Sequence, residues 1–534
     1  MMKIVLVLIL VLILLVGCGE GFDVRGPSGA PYLGVEEGLD EYEPDAEMDE
    51  DTGVEIEEVM EEARHIPDDG VLRLHMRPPM TLNPLLNEDV TVARVLRLIF
   101  EPLAVISDDL RITGHLAELE FASDFSSVNA TIREGAIWSD GMPVTADDVI
   151  FSIEFLRRAP NAAIYRRNVD KIAYATRIDT RTVQIVFEQA SVMAGYSLNF
   201  PIIPQHHYTG QNSPRSRNNM NPLGSGPFVF ESYSQMRAMS LQRNIHFRDG
   251  VQIERAEIVF LPDTETDFYA FERGRIDAIH LPLTEWTRHH GVRSPMYEIF
   301  PAMYFEFIGF NFTRSIFRSI HTRLGVAHAF NADEAVAAFY LAHAVRSATP
   351  IHPYGWAAGH VDAPVYDPHR AAALLGTVRI DAPLVVLVNE ENPQRVGVAE
   401  RLAESLRNAG LSTYVEAVPN DEYFARLAAH DFDLFVGGVQ LPFAPDVQLF
   451  FQGGGSFVYD PILESAYNAL TLASTEAAYA QAISGLQQAF VERLPIIGLS
   501  FQHSAVLTNP RIITTTNPTP DHVFVNVNEW VIGQ

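Results

Sequence analysis

The stretch from Leu384 to Val436 limits most tightly what this chain can become. Leu384-Val385-Val386-Leu387-Val388 is a short apolar run that reads as a buried strand. Gln394 to Ala409 then sets Val398, Leu402 and Leu406 on one side of a helix, with Gly410 at its C′ position. Tyr414 to Val418 reads as a strand, Asp421 to Ala429 as a helix, and Phe432 to Val436 as a strand. Strands separated by helices of this length cannot be joined as hairpins. They form a mostly parallel sheet, with right-handed crossovers and helices on both faces. Gly437 and Gly438 follow a strand without opening a helix in the dinucleotide pattern, so a nucleotide site is not expected.

At 534 residues, the chain is long enough for two to four domains, and 47% apolar residues can supply a large core. Its formal net charge of -30 argues against a nucleic-acid partner, which needs clustered Lys and Arg. Self-repulsion at that charge favours a soluble monomer. Cys18 is the single cysteine, so neither an intramolecular disulfide nor a cysteine-based metal site is possible.

Cys18 has a more specific meaning by its position. Lys3 precedes an apolar run, Ile4 to Val16, that is too short for a good bilayer-spanning helix. The run ends in Leu15-Val16-Gly17-Cys18, which resembles a bacterial lipobox. That resemblance implies a signal peptide over 1–17, lipidation of Cys18 and a membrane anchor made by several acyl chains. Residues 18–70 then read as an acidic, extended tether, with carboxylates crowded from Glu36 to Glu62.

From Val71 the pattern becomes that of a folded body. Val71 to Met76 alternates as a strand, and Val90 to Phe100 reads as a helix. Further on, Ala136-Ile137-Trp138 has strand character and Ser139 to Pro143 is a turn. Thr145 follows as a helix N-cap, with Asp148 three residues later in a capping-box arrangement. Asp140, Asp147 and Asp148 therefore have structural work to do, and no metal site is expected there.

IWSDGMPVTADDVIFSIEF closely resembles the signature segment of the family 5 extracellular solute-binding proteins. TLNPLL, IFEPLAV, NPLGSGPFVFESY, FERGRIDA and RLGVAHAFNADEAVA agree with the same family in order. The resemblance covers roughly residues 70–534. It implies an α/β fold of the type II periplasmic-binding-protein kind: two α/β lobes around a hinge cleft, with an additional domain inserted in lobe one. Carried over, lobe one is 71–100, 200–305 and 500–534, the inserted domain is 101–199, and lobe two is 306–499. It also implies a binding subunit, not an enzyme, held outside the cytoplasm. Such a subunit captures a small solute, a peptide first, for the permease of an ABC importer. No catalytic residue, metal or cofactor is assigned. A peptide-sensing receptor and a binder of nickel, haem or oligosaccharide are the alternatives.

The resemblance also implies where the solute sits. In peptide-binding relatives a Gly-Gly-Trp-x-x-Asp-Tyr-like loop supplies an acid for the peptide amino group. Here Gly437 and Gly438 are followed by Val439, Gln440, Leu441, Pro442 and Phe443, with Asp446 four residues beyond the acid position, which Pro442 fills. The departure at Pro442 points to a solute without a charged amine, such as a blocked or cyclic peptide or another apolar solute. Asn87, Glu88, His280, Leu281 and Trp356 join Val439, Gln440, Leu441 and Phe443 as candidate contacts. Each also has a plain structural reading: a lone Trp is often core cover, and a lone His is often hydrogen-bonded. Ser225 reads as a turn serine, because it lacks nucleophile-elbow spacing.

Overall fold

The computed structural model describes residues 69–211, 213, 215–282, 296–341, 343–452, 457 and 459–533. Cys18, the apolar run before it and the acidic run after it lie outside the described residues.

The parallel unit expected from the sequence is present. Leu384–Asn389 lies between Thr413–Val418 and Leu434–Gln440 and runs parallel to both. Helix Pro393–Asn408 starts where the Asn392 side chain accepts from the Arg395 N–H. It is followed by Gly410 in the left-handed region, at φ +93°, and buries Val398, Leu402 and Leu406. The third strand continues through Gly437 and Gly438 to Gln440. Glycine is required at 438, since a Cβ there would lie 2.5 Å from Arg395 Nη2 and 2.6 Å from the Tyr304 ring.

Two long strands, Met296–Phe310 and Ile496–Thr508, pair antiparallel and run through the whole molecule. At one end Met296 to Pro301 pairs with Thr508 to His503, beside strand Ala278–Pro282. At the other end Phe305 to Gly309 pairs with Phe501 to Ile496 and with the strand ending at Gln440. The register shifts between Pro301 and Phe305.

Lobe one holds a four-stranded sheet in the order Val71–Met76, Arg255–Phe260, Ala238–Arg243, Phe228–Ser234. A second, antiparallel sheet has the order Ala117–Phe121, Ser127–Ile132, Thr182–Phe187, Ile172–Arg177. The two sheets share one core, in which Leu72 and Leu74 join Val128, Trp138, Ile185 and Trp530. The segment 101–199 thus contributes a sheet that packs against the sheet containing Val71–Met76.

The sequence motifs have local physical causes. Asp148 accepts from Thr145 N and Oγ1 at 2.9 and 2.8 Å and from Gln205 N at 2.8 Å, tying the helix Ala146–Arg157 to a distant loop. Asp140 meets His206 Nε2 at 2.8 Å, and Asp147 meets Arg177 at 2.6 Å. Gly226 and Phe228 donate to the carbonyls of Ile99 and Leu98, at a separation where a Cβ on Gly224 would stand 2.0 Å from Ile99 O. Asp277, fully buried, accepts from Arg73 N at 2.6 Å and pairs with Arg511. Arg323 spans carbonyls of Phe317, Arg318, Arg493 and Leu494.

Candidate ligand cleft

Ligands in open α/β folds gather off the carboxyl ends of the parallel strands. In lobe two those ends are Asn389, Val418 and Gln440. Tyr304 pairs with Gln440 across the sheet, so the crossing strand enters lobe two at this same edge. In lobe one the carboxyl end of Val71–Met76 leads through Arg77 to helix Val90–Leu96, where Thr91 Oγ1 accepts from Arg77 N at 3.0 Å.

On the lobe-two side, the segment 350–358 and the loop after Gln440 face one another. Ile351, His352, Trp356, Leu441, Pro442, Phe443 and Met303 line a cavity of about 30 Å³ that Leu110 and Tyr196 complete. Trp356 stacks on Tyr479 with ring centres 5.0 Å apart, and the Arg111 guanidinium lies 4.0 Å above it. Its indole N–H reaches Tyr196 Oη at 3.4 Å, and its backbone N–H donates to Asp109 O at 2.8 Å. Tyr196 and Trp356 also border a larger cavity of about 380 Å³, lined by Arg111, Arg133, Glu118 and Glu476. The segment 101–199 therefore meets lobe two directly. The Val192 N–H to Ala473 O bond of 2.9 Å and the Arg111–Glu476 pair at 2.6 Å belong to the same contact.

His352 has the most unusual environment on this side. Nδ1 accepts from Tyr354 N at 3.2 Å, while Nε2 is buried without a partner among the described residues. The ring sits 4.5 Å from that of Phe501. Burial, with His503 nearby, lowers its pKa to about 4, so at neutral pH it presents an uncharged N–H.

The candidate contacts separate into two groups. Trp356, Leu441 and Phe443 come together at the smaller cavity. Gln440 is exposed at its edge, and Val439 turns inward and is buried. Asn87 is committed to a turn, donating to Asp89 O at 2.7 Å and accepting from Asp89 N at 3.2 Å, while Glu88 is exposed beside it. Leu281 is buried in a small cluster with Phe268 and Phe271. His280 lies on lobe one with its ring 5.7 Å from Phe300, and burial together with Arg94 and His75 holds its pKa well below the ordinary range. Asp446 is exposed and accepts from Tyr467 Oη through Oδ1 at 3.1 Å.

Sequence reasoning passed over His352, Tyr196 and Met303. His352 stands four residues before Trp356, and that spacing inside a proline- and glycine-rich loop was the available signal. Tyr196 carried none, because it reaches the cavity from a remote segment.

Residues 111–457 match the model of the bacterial extracellular solute-binding proteins, family 5. The chain belongs to this family. Among similar proteins, a Brucella ovis protein assigned as an ABC transporter peptide-binding protein is 23% identical over 364 residues, covering 64% of this chain and 68% of that one. An Agrobacterium fabrum protein assigned as the peptide-binding protein YejA is 28% identical over 235 residues, 40% of this chain and 37% of its own. Solved structures agree on the fold. The Listeria monocytogenes ABC transporter substrate-binding protein CtaP superposes with a TM-score of 0.76 at 18% identity, over 88% of this chain and 100% of that one. NikZ from Campylobacter jejuni, in complex with Ni(L-His), gives 0.67 at 21% identity, over 87% of this chain and 100% of its own. The type II two-lobed architecture with an extra domain is therefore that of this chain. No helix among the described residues is long and apolar enough to cross a membrane.

Proposed function

We propose that this family 5 protein captures a peptide-type solute between its lobes and hands it to the permease of an ABC importer. The observation that carries the reading is the family match across 111–457, on a fold whose two lobes are joined by the continuous strands Met296–Phe310 and Ile496–Thr508. Paired strands of this kind bend at a register shift without losing their ladder, which suits closure around a solute. In this reading the boundaries at 305/306 and 499/500 fall inside those two strands. Trp356, Leu441 and Phe443 offer apolar cover, and His352 offers an uncharged donor for a carbonyl. The lipobox-like segment ending at Cys18 supports an extracytoplasmic, lipid-anchored protein, and the net charge of -30 a monomer.

The test is a ligand screen on the purified full-length chain in detergent, unfolded and refolded to strip resident solute. A solute at 100 times its Kd stabilises the folded state by about 2.7 kcal/mol, which moves the melting midpoint by degrees. Peptides are expected to do so. If only Ni²⁺, haem or oligosaccharides do, the peptide reading is wrong.

A further inference from the structure

The segment 101–199 is fastened to the molecule on two sides. On one side Leu116, Val128 and Ile132 share the core of Leu72 and Leu74. On the other, Ile106, Leu110, Val192 and Tyr196 belong to a different core, with Ile351, Leu441 and Tyr479. Two hairpin tips make the second attachment. The turn Ser107 to Leu110 joins strands Ala104–Ile106 and Ile112–Gly114 and is closed by Leu110 N to Ser107 O at 2.9 Å. The turn Ala122 to Phe125 joins strands Ala117–Phe121 and Ser127–Ile132 and is closed by Phe125 N to Ala122 O at 2.9 Å.

Each tip carries a bulky residue where glycine belongs. Leu110 has φ +59° and Phe125 φ +51°, in the left-handed region that large side chains avoid. Such strain persists only where the surroundings hold it in place. Here the side chains supply the hold. Leu110 is buried in the second core, and Phe125 packs against that core, its ring stacked on Phe121 with centres 5.0 Å apart.

Polar contacts cross the same seam. The Val192 N–H donates to Ala473 O at 2.9 Å, the Trp356 N–H donates to Asp109 O at 2.8 Å, and Arg111 pairs with Glu476. The seam is nevertheless not packed like a core: it leaves a cavity of about 380 Å³ between Phe121, Phe125 and Trp356. Protein interiors leave few voids larger than a water molecule. A contact with few bonds and a void of that size parts at a lower free energy than the cores on either side of it.

Given lobes that close around a solute, we infer that this seam is a latch on the closed form. The tips at Leu110 and Phe125 dock on the segments around Trp356 and Tyr479 when the lobes shut, and the seam parts when they open. Strain stored at the two tips is released on parting, which keeps the closed form reversible. Trp356 borders both the seam and the smaller cavity, so a solute in that cavity steadies the latch.

Hydrogen exchange on the refolded full-length chain in detergent reads the seam directly, because the Val192 and Trp356 amides bond across it. In the parent chain both are expected to exchange at least about tenfold faster than the amides of strand Leu384–Asn389. Leu110→Gly and Phe125→Gly remove the strain together with the docking side chain. Each is expected to speed the two amides by a further factor of about ten, with the strand unchanged. If the strand speeds up equally, or protects no better than the two amides in the parent, the seam belongs to one cooperative core and the inference falls. Slower exchange in the glycine variants also overturns it, because the side chains would then strain the turns without holding the seam. Peptides that raise the melting midpoint are expected to slow both amides; if they leave them unchanged, the latch is wrong and the peptide reading stands. If no peptide binds, yet the two amides part and answer to the glycine variants, the latch stands and the peptide reading is wrong.

Discussion

Arg395 and Glu306 meet as a two-pronged ion pair inside lobe two, Nε to Oε2 at 2.9 Å and Nη2 to Oε1 at 3.1 Å. Glu306 is fully buried on the first crossing strand, and Gln502 of the second strand donates to it at 2.6 Å. Two more guanidinium hydrogens go to Asn389 Oδ1 at 3.2 Å and Tyr304 Oη at 2.9 Å. This network fastens helix Pro393–Asn408 to both strands just inside lobe two.

Removing one partner leaves the other charge buried and unpaired. Glu306→Ala is expected to cost about 3–5 kcal/mol. The double replacement Glu306→Leu with Arg395→Met is expected to cost less than the single change, because no charge is stranded. Urea unfolding of the three chains measures this. A single-mutant loss under about 1 kcal/mol would show that the pair does not hold lobe two together.

Two glycines give a matched pair of opposite sign. At Gly438 an added Cβ meets Arg395 Nη2 at 2.5 Å, the Tyr304 ring at 2.6 Å and Glu306 Cδ at 2.9 Å. Gly438→Ala is therefore expected to destabilise by about 1–3 kcal/mol. Gly485 lies inside helix Glu476–Arg493 with nothing within 4 Å of the added atom. Gly485→Ala is expected to stabilise by about 0.5–1 kcal/mol, through helix propensity and a less free unfolded chain. Melting midpoints that move in the same direction for both would contradict the packing described here.

These residues also mark where sequence reading ends. Periodicity shows Leu384 to Val436 as βαβαβ, because each element buries a continuous apolar face against its neighbours. Capping chemistry places Thr145 and Asp148 for the same reason: the partners are three residues apart. Glu306, Arg395 and Gln502 are far apart in the chain, and nothing in their local sequence says that they meet. The cleft has the same character. Trp356 and Phe443 could be proposed from the resemblance, but Tyr196 and Met303 reach their cavity only through the fold. Asn87, in contrast, lies in an Asn-x-Asp turn whose backbone bonds occupy its side chain.

Trp356 separates packing from recognition. Its ring stacks on Tyr479 and lies against the Arg111 guanidinium, where the segment 101–199 meets the segment around Tyr479. Trp356→Phe keeps a ring for the stack and loses the bond to Tyr196, so a stability loss of about 1 kcal/mol is expected. Trp356→Ala removes the stack as well, and its loss is expected to reach about 2–4 kcal/mol. If Trp356 also covers the solute, the Kd of a stabilising peptide rises at least about tenfold in the Ala variant. Calorimetry that finds an unchanged Kd in a folded Ala variant would assign Trp356 to packing alone.

His352 makes stability depend on pH in a direction that can be worked out. Its pKa falls from 6.5 to about 4 on folding, burial being the larger cause and His503 the smaller. Between those values the unfolded chain binds a proton that the folded chain refuses, so stability falls as the pH drops. The loss begins near pH 6.5 and is complete below about pH 4. For this one group it amounts to about 2 kcal/mol between pH 7 and pH 5. His280 and His522, also held well below the ordinary range by burial, add to the acid sensitivity of the parent chain. His352→Gln cannot titrate, so its stability should fall by about 2 kcal/mol less than that of the parent over the same interval. Urea unfolding at pH 7 and pH 5 measures the difference. Equal losses in the two chains would mean that His352 accepts its proton in the folded state, through water or a neighbour at Nε2, and is not the dry donor described here.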